Sequence, residues 1–402
     1  MSNNNSVTQD PIVILSYSRT PIGKFLGELS SLAAHQLGSV VIKDLIKKSK
    51  FENHIDKIDE VIMGCVLPAG QGQAPARQAA LNANLNTHTG CTTINKMCGS
   101  GMKAVMQACD SLLAGSSDIT IAGGMESMSN APYLLDKARQ GLRLGHVELK
   151  DHMFIDGLED AYEKGKPMGC FAEDTAGFYG FTREEQDSFA INSVKKAQHA
   201  QEANKFDGEI TPVKVNLKKQ EVIIDSDEGP RSALIDKIPN LKPAFKKDGT
   251  VTAANSSSIS DGAAALLLTR QSVAERLNIK PLAKILGYTQ YADKPPLFTT
   301  APGFAINNLL EKLNLNISDI DLFEINEAFA VVTMAAIKDL NLPEDKVNIN
   351  GGACILGHPV GASGARIMVT LLNALIKNNL KTGVASLCIG GGEATAIALE
   401  VL

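Results

Sequence analysis

The sequence predicts an α/β fold, with a largely parallel sheet that helices cover on both faces. Strand-like apolar runs alternate with segments of helical spacing, which is the pattern of such a sheet. The 402 residues are 44% hydrophobic and include 34 glycines, so the chain is long enough for two or three cores. An internal repeat further indicates that the fold is built from two similar halves.

The first part of the chain contains the strands and helices of one such half. Pro11–Tyr17 is predicted as a buried strand and Ser31–Lys48 as a helix. Val61–Val66 forms the next predicted strand, and Lys103–Leu113 has helical spacing. Ile119–Gly124 is a further predicted strand that ends in glycines. The alternation predicts a sheet with helices between successive strands.

The middle of the chain differs in character. Residues from about 125 to 250 are richer in charge and methionine, with one strong predicted helix from Thr182 to about Lys205. Thr182 followed by Glu185 is a capping box at its start. Val251–Thr269 then returns to a buried pattern. We interpret the middle segment as an inserted loop domain.

Three landmarks recur in the same order in the second part of the chain. Ile55–Met63 resembles Ile317–Ile325 at an offset of 262 residues. The position that corresponds to Cys98 at the same offset lies within Gly357–Gly364. Ile121–Glu126 resembles Ile389–Glu393 at a slightly larger offset. The repeat predicts two duplicated cores and one insertion, with these boundaries: 1–124 plus 251–280, 281–402, and the loop domain 125–250.

Composition excludes several function classes. The net charge of −5 and the pI near 5.9 argue against a nucleic-acid surface. No apolar run reaches the ~18 residues of a membrane span, and no secretory, transit or peroxisomal signal is evident. The seven cysteines have neither a disulfide framework nor a metal-ligand spacing. We therefore expect a cytoplasmic protein with free thiols, no metal, and no nucleic-acid or membrane partner.

The stretch Asn95–Met102 (N-K-M-C-G-S-G-M) is the first candidate for chemistry. Cys98 lies where a predicted strand turns into a helix, and Gly99 and Gly101 let a ligand approach the backbone closely. The positive end of a helix dipole favours a thiolate, so Cys98 is a candidate nucleophile. A small buried cysteine in a glycine-containing turn is the alternative.

The second half offers the partners of such a nucleophile. His358 (G-H-P-V-G-A-S-G) occupies the turn equivalent to that of Cys98, where a histidine is more often a base than a packed residue. Cys388 precedes three glycines whose backbone N–H groups suit an oxyanion. Asn326 lies at the end of a strand in F-E-I-N-E-A-F-A, beside Glu327, which could serve as a helix cap.

Together these motifs resemble the thiolase family, from about residue 11 to 402. The motifs are N-K-M-C-G-S-G, N-E-A-F-A, G-G-A-x-x-L-G-H-P-x-G-A-S-G and C-I-G-G-G. The resemblance is closest to the acetoacetyl-CoA branch and implies reversible condensation of two acetyl-CoA to acetoacetyl-CoA and CoA. It also implies a duplicated five-layered αβαβα fold with an inserted loop domain, and a homotetramer made of two dimers.

The resemblance also implies roles for individual residues. Cys98 would be acylated while His358 takes its proton, and Cys388 would act as acid and base toward the α-carbon. One oxyanion hole would comprise His358 and a water held by Asn326. The other would comprise the backbone N–H groups of Cys98 and Gly390.

Five further residues match positions that bind substrate in the family. Ser257 corresponds to the pantetheine-contacting serine and Arg231 to the adenine-side arginine, while Met168, Ala328 and Phe329 line the acyl pocket. Coenzyme A thioesters would be substrates, and no cofactor is implied. The departures from the family pattern are Pro167 in place of histidine, Lys237 in place of serine, and the unusual Cys354 and Glu393.

Other functions fit the sequence less well. A ketoacyl synthase would need a Cys-His-His set, and the C-I-G-G-G cysteine disfavours a hydroxymethylglutaryl-CoA-synthase-like role. Cys98, His358 and Asn326 formally satisfy a cysteine-hydrolase triad, and an inactive thiolase-like binding protein is another alternative. No G-x-G-x-x-G follows a strand, which disfavours a nucleotide cofactor. Within the family, Pro167 favours a broader degradative 3-ketoacyl-CoA thiolase, whereas three longer matches favour acetoacetyl-CoA.

Overall fold

The computed structural model describes residues 10–217 and 220–402. Fourteen strands are present in these two ranges: β1 (Ile12–Arg19), β2 (Gly23–Lys24), β3 (Glu60–Gly64), β4 (Gly90–Ile94), β5 (Ile119–Ser127), β6 (Tyr133–Leu135), β7 (Leu149–Asp151), β8 (Val213–Leu217), β9 (Gln220–Ile224), β10 (Ser260–Arg270), β11 (Ala283–Ala292), β12 (Leu322–Ile325), β13 (Thr382–Ile389) and β14 (Glu393–Val401).

Eleven α-helices are present in the same two ranges: α1 (Ala34–Lys48), α2 (Pro75–Asn82), α3 (Ser100–Ala114), α4 (Met168–Tyr179), α5 (Arg183–Glu202), α6 (Glu228–Ser232), α7 (Gln271–Arg276), α8 (Ala301–Leu313), α9 (Ala330–Leu340), α10 (Ala353–Leu356) and α11 (Val360–Lys377). The predicted capping box at the start of α5 is confirmed, because the Thr182 hydroxyl accepts from the Glu185 backbone N–H.

Hydrogen bonds join nine strands in the order β12-β13-β14-β11-β1-β10-β5-β3-β4, and β2 pairs with β10. The order is nearly symmetric about the antiparallel pair β1 and β11. The prediction of a largely parallel sheet is wrong: only β3 with β4, β3 with β5, and β12 with β13 are parallel. The remaining pairs are antiparallel. In the first half, the chain comes back after the long middle segment as β10, which runs antiparallel to β5. In the second half, β14 follows the short Gly390–Gly392 turn and runs antiparallel to β13.

The five predicted layers are visible in the hydrophobic clusters. The helices α1 and α2 pack on the outer face of the first-half strands, and α8 and α9 pack on the outer face of the second-half strands. Between the two halves, α3 and α11 form a central helical layer with apolar residues from both sets of strands. The order helix, sheet, helix, sheet, helix confirms the predicted αβαβα architecture.

The central helix α11 is apolar enough and, at 18 residues, long enough to span a membrane by composition. However, 89% of its residues are buried inside the protein, against α3 and the strands of both halves. Such burial is typical of a core helix, which is apolar on all sides.

Close contact between α3 and α11 depends on glycine. A Cβ atom at Gly101 would lie 2.8 Å from the backbone nitrogen of Ala365 and 3.1 Å from the carbonyl oxygens of Gly361 and Ala362. The two helices therefore approach backbone to backbone at the ends where Cys98 and His358 precede them. This close approach brings the two motifs together.

The prediction of a single strong helix in the middle segment missed α4. This helix begins after Pro167 and ends at Gly180, which has a left-handed conformation. Its sequence contains Gly169 and Gly177, both poor helix formers. At Gly169 the reason is packing, because a Cβ there would lie 2.3 Å from the ring of Phe245.

Candidate active site

Cys98 and His358 occupy equivalent positions in the two halves. Each lies two residues before the first residue of a central helix, Cys98 before α3 at Ser100 and His358 before α11 at Val360. Both side chains line one cavity of about 540 Å³. The predicted meeting of the two turns is therefore observed.

The same cavity brings together most of the residues that the sequence singled out. Cys388 and Gly390 line it from the end of β13, and the substrate candidates Met168, Ser257, Ala328 and Phe329 also contribute to its wall. The thiol of Cys98 faces the backbone N–H of Gly390. A nucleophile candidate, a base candidate and a candidate oxyanion donor thus share one cavity.

Two predicted site residues lie outside this lining. Asn326 is buried behind the cavity, where its amide nitrogen is 3.5 Å from His358 Nδ1. Arg231 is on the exposed side of α6, where it forms an ion pair of 2.5 Å with Glu28. Arg231 lines neither the catalytic cavity nor the second cavity beside it.

Burial opposes the effect that we expect the helix dipole to have on the Cys98 thiol. Burial raises the pKa of the Cys98 thiol to about 11, and the Gly390 N–H lowers it only in part. The helix α3 begins two residues later, so the thiol lies just outside the first turn, where the dipole acts most strongly. At neutral pH Cys98 is therefore a protonated thiol that needs a base.

His358 is suited to accept that proton. Its Nδ1 lies 2.6 Å from the Ser363 hydroxyl, which itself donates to the Pro359 carbonyl at 3.0 Å. We assign the hydroxyl proton to the bond with Pro359, so that Nδ1 donates to Ser363 Oγ and the lone pair is on Nε2. Nε2 is buried without a hydrogen-bond partner. Burial and the nearby Arg366 lower the pKa of His358 to about 3, which keeps the ring neutral at physiological pH.

Cys388 is the second thiol of the site and is fully buried, whereas Cys98 is partly exposed. It packs among apolar side chains, including Phe171, Phe298 and Val332. Burial and the neighbouring Cys98 raise the pKa of its thiol, so Cys388 carries a proton that it can donate. By contrast, Cys354 is buried outside the cavity, where its sulfur lies 3.8 Å from the Glu327 carbonyl oxygen.

Glu327, which the sequence suggested as a helix cap, is hydrogen-bonded to three separate segments of the chain. Its carboxylate accepts from the Ser193 hydroxyl, the Asn348 side-chain amide and the Cys354 backbone N–H at 2.8 to 3.1 Å. It therefore fixes the loop before α10. Its role is structural.

Glu126 performs a similar task directly beneath the cavity. One carboxylate oxygen accepts from the backbone N–H groups of Val66 and Gly361 at 2.8 and 2.9 Å, and the other accepts from Leu67 at 3.2 Å. Val66 and Val360 both line the cavity, so this carboxyl joins the two halves at its floor. Burial outweighs these bonds and raises the pKa of Glu126 to about 7.

Sequence reasoning missed three acidic residues that line the cavity and a histidine that bonds to one of them. Asp156, Glu159 and Asp160 also line the cavity. His152 donates from Nδ1 to Asp156 at 2.7 Å and accepts at Nε2 from the Ala69 N–H at 3.4 Å. No sequence periodicity marks this segment, because it is an irregular π-helical turn.

A second cavity of about 530 Å³ adjoins the first, and Leu158, Met168, Ser257, Ala328 and Phe329 line both. The second cavity alone is lined by Lys24, Phe25, Pro167 and Phe245. The two cavities thus adjoin each other along the five shared residues.

Family models match both halves of the chain. Residues 12–272 match the thiolase N-terminal domain and residues 279–401 match the thiolase C-terminal domain. The chain belongs to the thiolase family. The prediction made from the four motifs is therefore confirmed.

Thiolases of several organisms are similar over nearly the full length. A probable acetyl-CoA acyltransferase of Staphylococcus aureus is 46% identical, covering 96% of this chain and 98% of that protein. The mitochondrial acetyl-CoA acetyltransferase of Bos taurus is 47% identical, covering 98% and 92%. The solved thiolase of Ascaris suum in complex with coenzyme A has a TM-score of 0.91 at 44% identity, covering 98% of this chain and 100% of that one.

Proposed function

We propose that this thiolase is an acetyl-CoA C-acetyltransferase, which interconverts two acetyl-CoA with acetoacetyl-CoA and CoA. The observation that carries the proposal is the convergence of Cys98, His358 and Cys388 on one cavity, with the Gly390 N–H directed at the Cys98 thiol. The acetyl-CoA acyltransferase and acetyltransferase names of its relatives support the same activity.

Thiolysis of acetoacetyl-CoA illustrates how these groups would act. The Cys98 sulfur attacks the β-carbonyl carbon while its proton passes to His358 Nε2, which holds the free lone pair. The backbone N–H of Gly390 lies where it would stabilise the resulting oxyanion; such a donor contributes roughly 3–4 kcal/mol. Because both partners are neutral at rest, proton transfer and attack must be coupled.

Cleavage then needs an acid at the α-carbon. As the bond between the α-carbon and the β-carbonyl carbon breaks, its electron pair forms the enolate of acetyl-CoA, and Cys388 donates the proton. The raised pKa of its thiol suits this role. CoA then attacks the acetyl group on Cys98 and gives its thiol proton to the Cys388 thiolate, while His358 returns its proton to the Cys98 sulfur as that sulfur leaves. Condensation follows the same steps in reverse.

The second cavity is the proposed path of the coenzyme A arm. Its wall is largely apolar and includes Ser257, which fits a pantetheine chain. The phosphates of coenzyme A are anionic, so they would avoid the carboxylates of the first cavity and favour the side of Lys24. Arg231 would contact the adenine end outside this path, after release from Glu28.

The acyl specificity distinguishes the proposed function from a degradative 3-ketoacyl-CoA thiolase. Pro167 lines the second cavity and not the wall that holds Cys98, so its apolar ring lies along the coenzyme A path. This placement weakens the argument that Pro167 accommodates longer acyl chains. We expect acetoacetyl-CoA to be the best substrate and a six-carbon substrate to be poorer.

Mass spectrometry and steady-state kinetics test the proposal together. Incubation with acetyl-CoA should add one acetyl group at Cys98, and Cys98→Ala should abolish both thiolysis and condensation. A label on Cys388 or Cys354 would contradict the assignment of the nucleophile. A kcat/KM that rises from four to eight carbons would identify a degradative thiolase.

We further propose the homotetramer and the domain organisation that the family resemblance implies. Residues 125–250 would form the loop domain between the two duplicated cores. The hairpin β6–β7 supports assembly, because Tyr133 and Leu149 are 64% and 65% exposed and would be covered by another subunit. Light scattering coupled to chromatography measures the mass directly. The acidic pI and the seven free cysteines support a cytoplasmic location.

A further inference from the structure

A buried arginine contacts Asn326 from the side away from the cavity. Arg366 is 2% exposed on α11, and its Nη2 donates to Asn326 Oδ1 at 3.3 Å. Glu324 on β12 is equally buried, with its Oε2 at 3.6 Å from Arg366 Nη1. The Nε and Nη1 atoms of Arg366 have no hydrogen-bond partner. An incompletely satisfied buried charge is costly, which makes its contact with Asn326 notable.

This contact decides which way the Asn326 amide faces. The two ends of an asparagine amide are nearly the same size, but one donates hydrogen bonds and the other accepts them. A guanidinium has donors only, so it is satisfied only when Oδ1 faces Arg366. The NH₂ group must then face the imidazole of His358, which it approaches to 3.5 Å.

The Asn326 donors are free in this orientation. Nδ1 of His358 already donates to Ser363, so the amide nitrogen and the ring nitrogen are both donors and do not bond to each other. A flipped amide would instead turn a carbonyl oxygen toward the place where the proposed mechanism develops negative charge. Such a reversal would replace a stabilising donor by a repulsive acceptor.

We propose that Arg366 is a positioning residue that holds the N–H donors of Asn326 toward His358 and toward the thioester oxygen that becomes the enolate oxygen during cleavage. The inference rests on the proposed function, because that enolate forms only in the proposed cleavage step. Arg366 acts through Asn326 and touches no substrate.

The test compares Arg366→Met and Arg366→Lys with Asn326→Ala, in thiolysis of acetoacetyl-CoA. A second form, Glu324→Gln with Arg366→Met, avoids leaving the buried carboxyl of Glu324 without its arginine partner. Arg366→Met in either form should lower kcat roughly 10- to 100-fold, the range expected for partial loss of an oxyanion donor, with KM changed less than about threefold. Arg366→Lys retains a charged donor and should recover part of that loss.

Double substitution separates positioning from a structural role. In the Asn326→Ala background, Arg366→Met should lower kcat no further, because there is no amide left to orient. Arg270→Met is the matched control: Arg270 is partly buried and bonded to Asp118 and the Leu112 carbonyl, far from Asn326. This control should leave kcat unchanged even if the melting temperature falls.

Three results would overturn the inference. One is that Arg366→Met lowers kcat as much in the Asn326→Ala background as it does in the wild type. The second is a loss that follows the melting temperature in all the arginine variants, without recovery in Arg366→Lys. The third is wild-type kcat in both forms of Arg366→Met. Failure of the proposed function looks different: the wild type would neither cleave acetoacetyl-CoA nor become acetylated at Cys98.

Discussion

Lys96 and Glu393 form an ion pair that joins the two loops around the candidate nucleophile. Lys96 lies two residues before Cys98, and Glu393 directly follows the glycine triplet that contains Gly390. The pair therefore links the loop of the candidate thiol in one half to the loop of the candidate oxyanion donor in the other. Glu393, which is unusual for the family, thereby has a structural partner.

Charge reversal tests whether this pair sets the spacing of the two loops. Lys96→Glu or Glu393→Lys alone should lower kcat/KM by up to about fivefold, since a partly exposed pair contributes at most about 1 kcal/mol. The combined reversal restores the attraction and should return kcat/KM close to the wild-type value. Measurements at low and high salt complete the test. Additive losses in the double variant would show that the pair has no such role.

The two thiols of the cavity should be separable by function. Cys388→Ala should still become acetylated at Cys98 on incubation with acetyl-CoA, because His358 serves that step. It should fail to form or cleave the carbon–carbon bond, because the α-carbon acid is missing. Mass spectrometry and an acetoacetyl-CoA assay measure the two steps. Near wild-type condensation would show that another residue handles the α-carbon proton.

The neutral His358 predicts a specific loss of stability in acid. Its pKa is lowered from 6.5 to about 3 in the folded protein, so below pH 6.5 only the unfolded state takes up this proton. The stabilising contribution is therefore complete above pH 6.5 and is lost as the pH falls toward 3. Between pH 7 and 4 the wild type should lose a few kcal/mol relative to His358→Gln.

Urea unfolding of both proteins across that pH range provides the measurement. Glu126 and Glu324 act in the opposite sense, because burial raises their pKa values to about 7 and about 8. They titrate in both proteins, so the difference between wild type and variant isolates His358. Parallel stability curves for the two proteins would mean that His358 is protonated in the folded state.

Two helical glycines should respond oppositely to alanine. Gly101→Ala places a methyl group against the α11 backbone and should destabilise the protein by about 1–3 kcal/mol, since overpacking has that cost. It should also lower kcat, because it separates the turns that carry Cys98 and His358. Gly177 in α4 has open space around its Cβ position, so Gly177→Ala should stabilise by about 0.5–1 kcal/mol. Thermal unfolding and thiolase assays measure both effects.

The family and the residues of the cavity could be predicted from the sequence, because the motifs that identify them are short and continuous in the chain. Cys98 and His358 are recognisable from glycine-rich turns before apolar helices, and the repeat relates the two turns. The strand directions were predicted wrongly, because the β5–β10 pairing depends on where the chain returns after more than a hundred residues. Periodicity within a strand carries no information about that return.

The protonation state of Cys98 was also beyond local reasoning. The position before a helix is visible in sequence, but the burial that raises the pKa of the thiol arises from apolar side chains that are distant in the chain, among them Leu387 and Val360. The role of Arg366 could be suspected only in three dimensions, although Arg366 lies eight residues after His358 in the same motif. Its partners are distant in the chain: Glu324 lies on β12, and Asn326 directly follows that strand.

The matching positions of Cys98 and His358 before α3 and α11 bear on how such a site could evolve. Two identical, unlinked units paired about a two-fold axis would place the same side chain at both positions, either two thiols or two imidazoles. Once two copies can mutate independently, one can keep a nucleophile while the other acquires a base. In this chain the two copies are joined, so a single polypeptide carries both groups and neither half holds the pair alone.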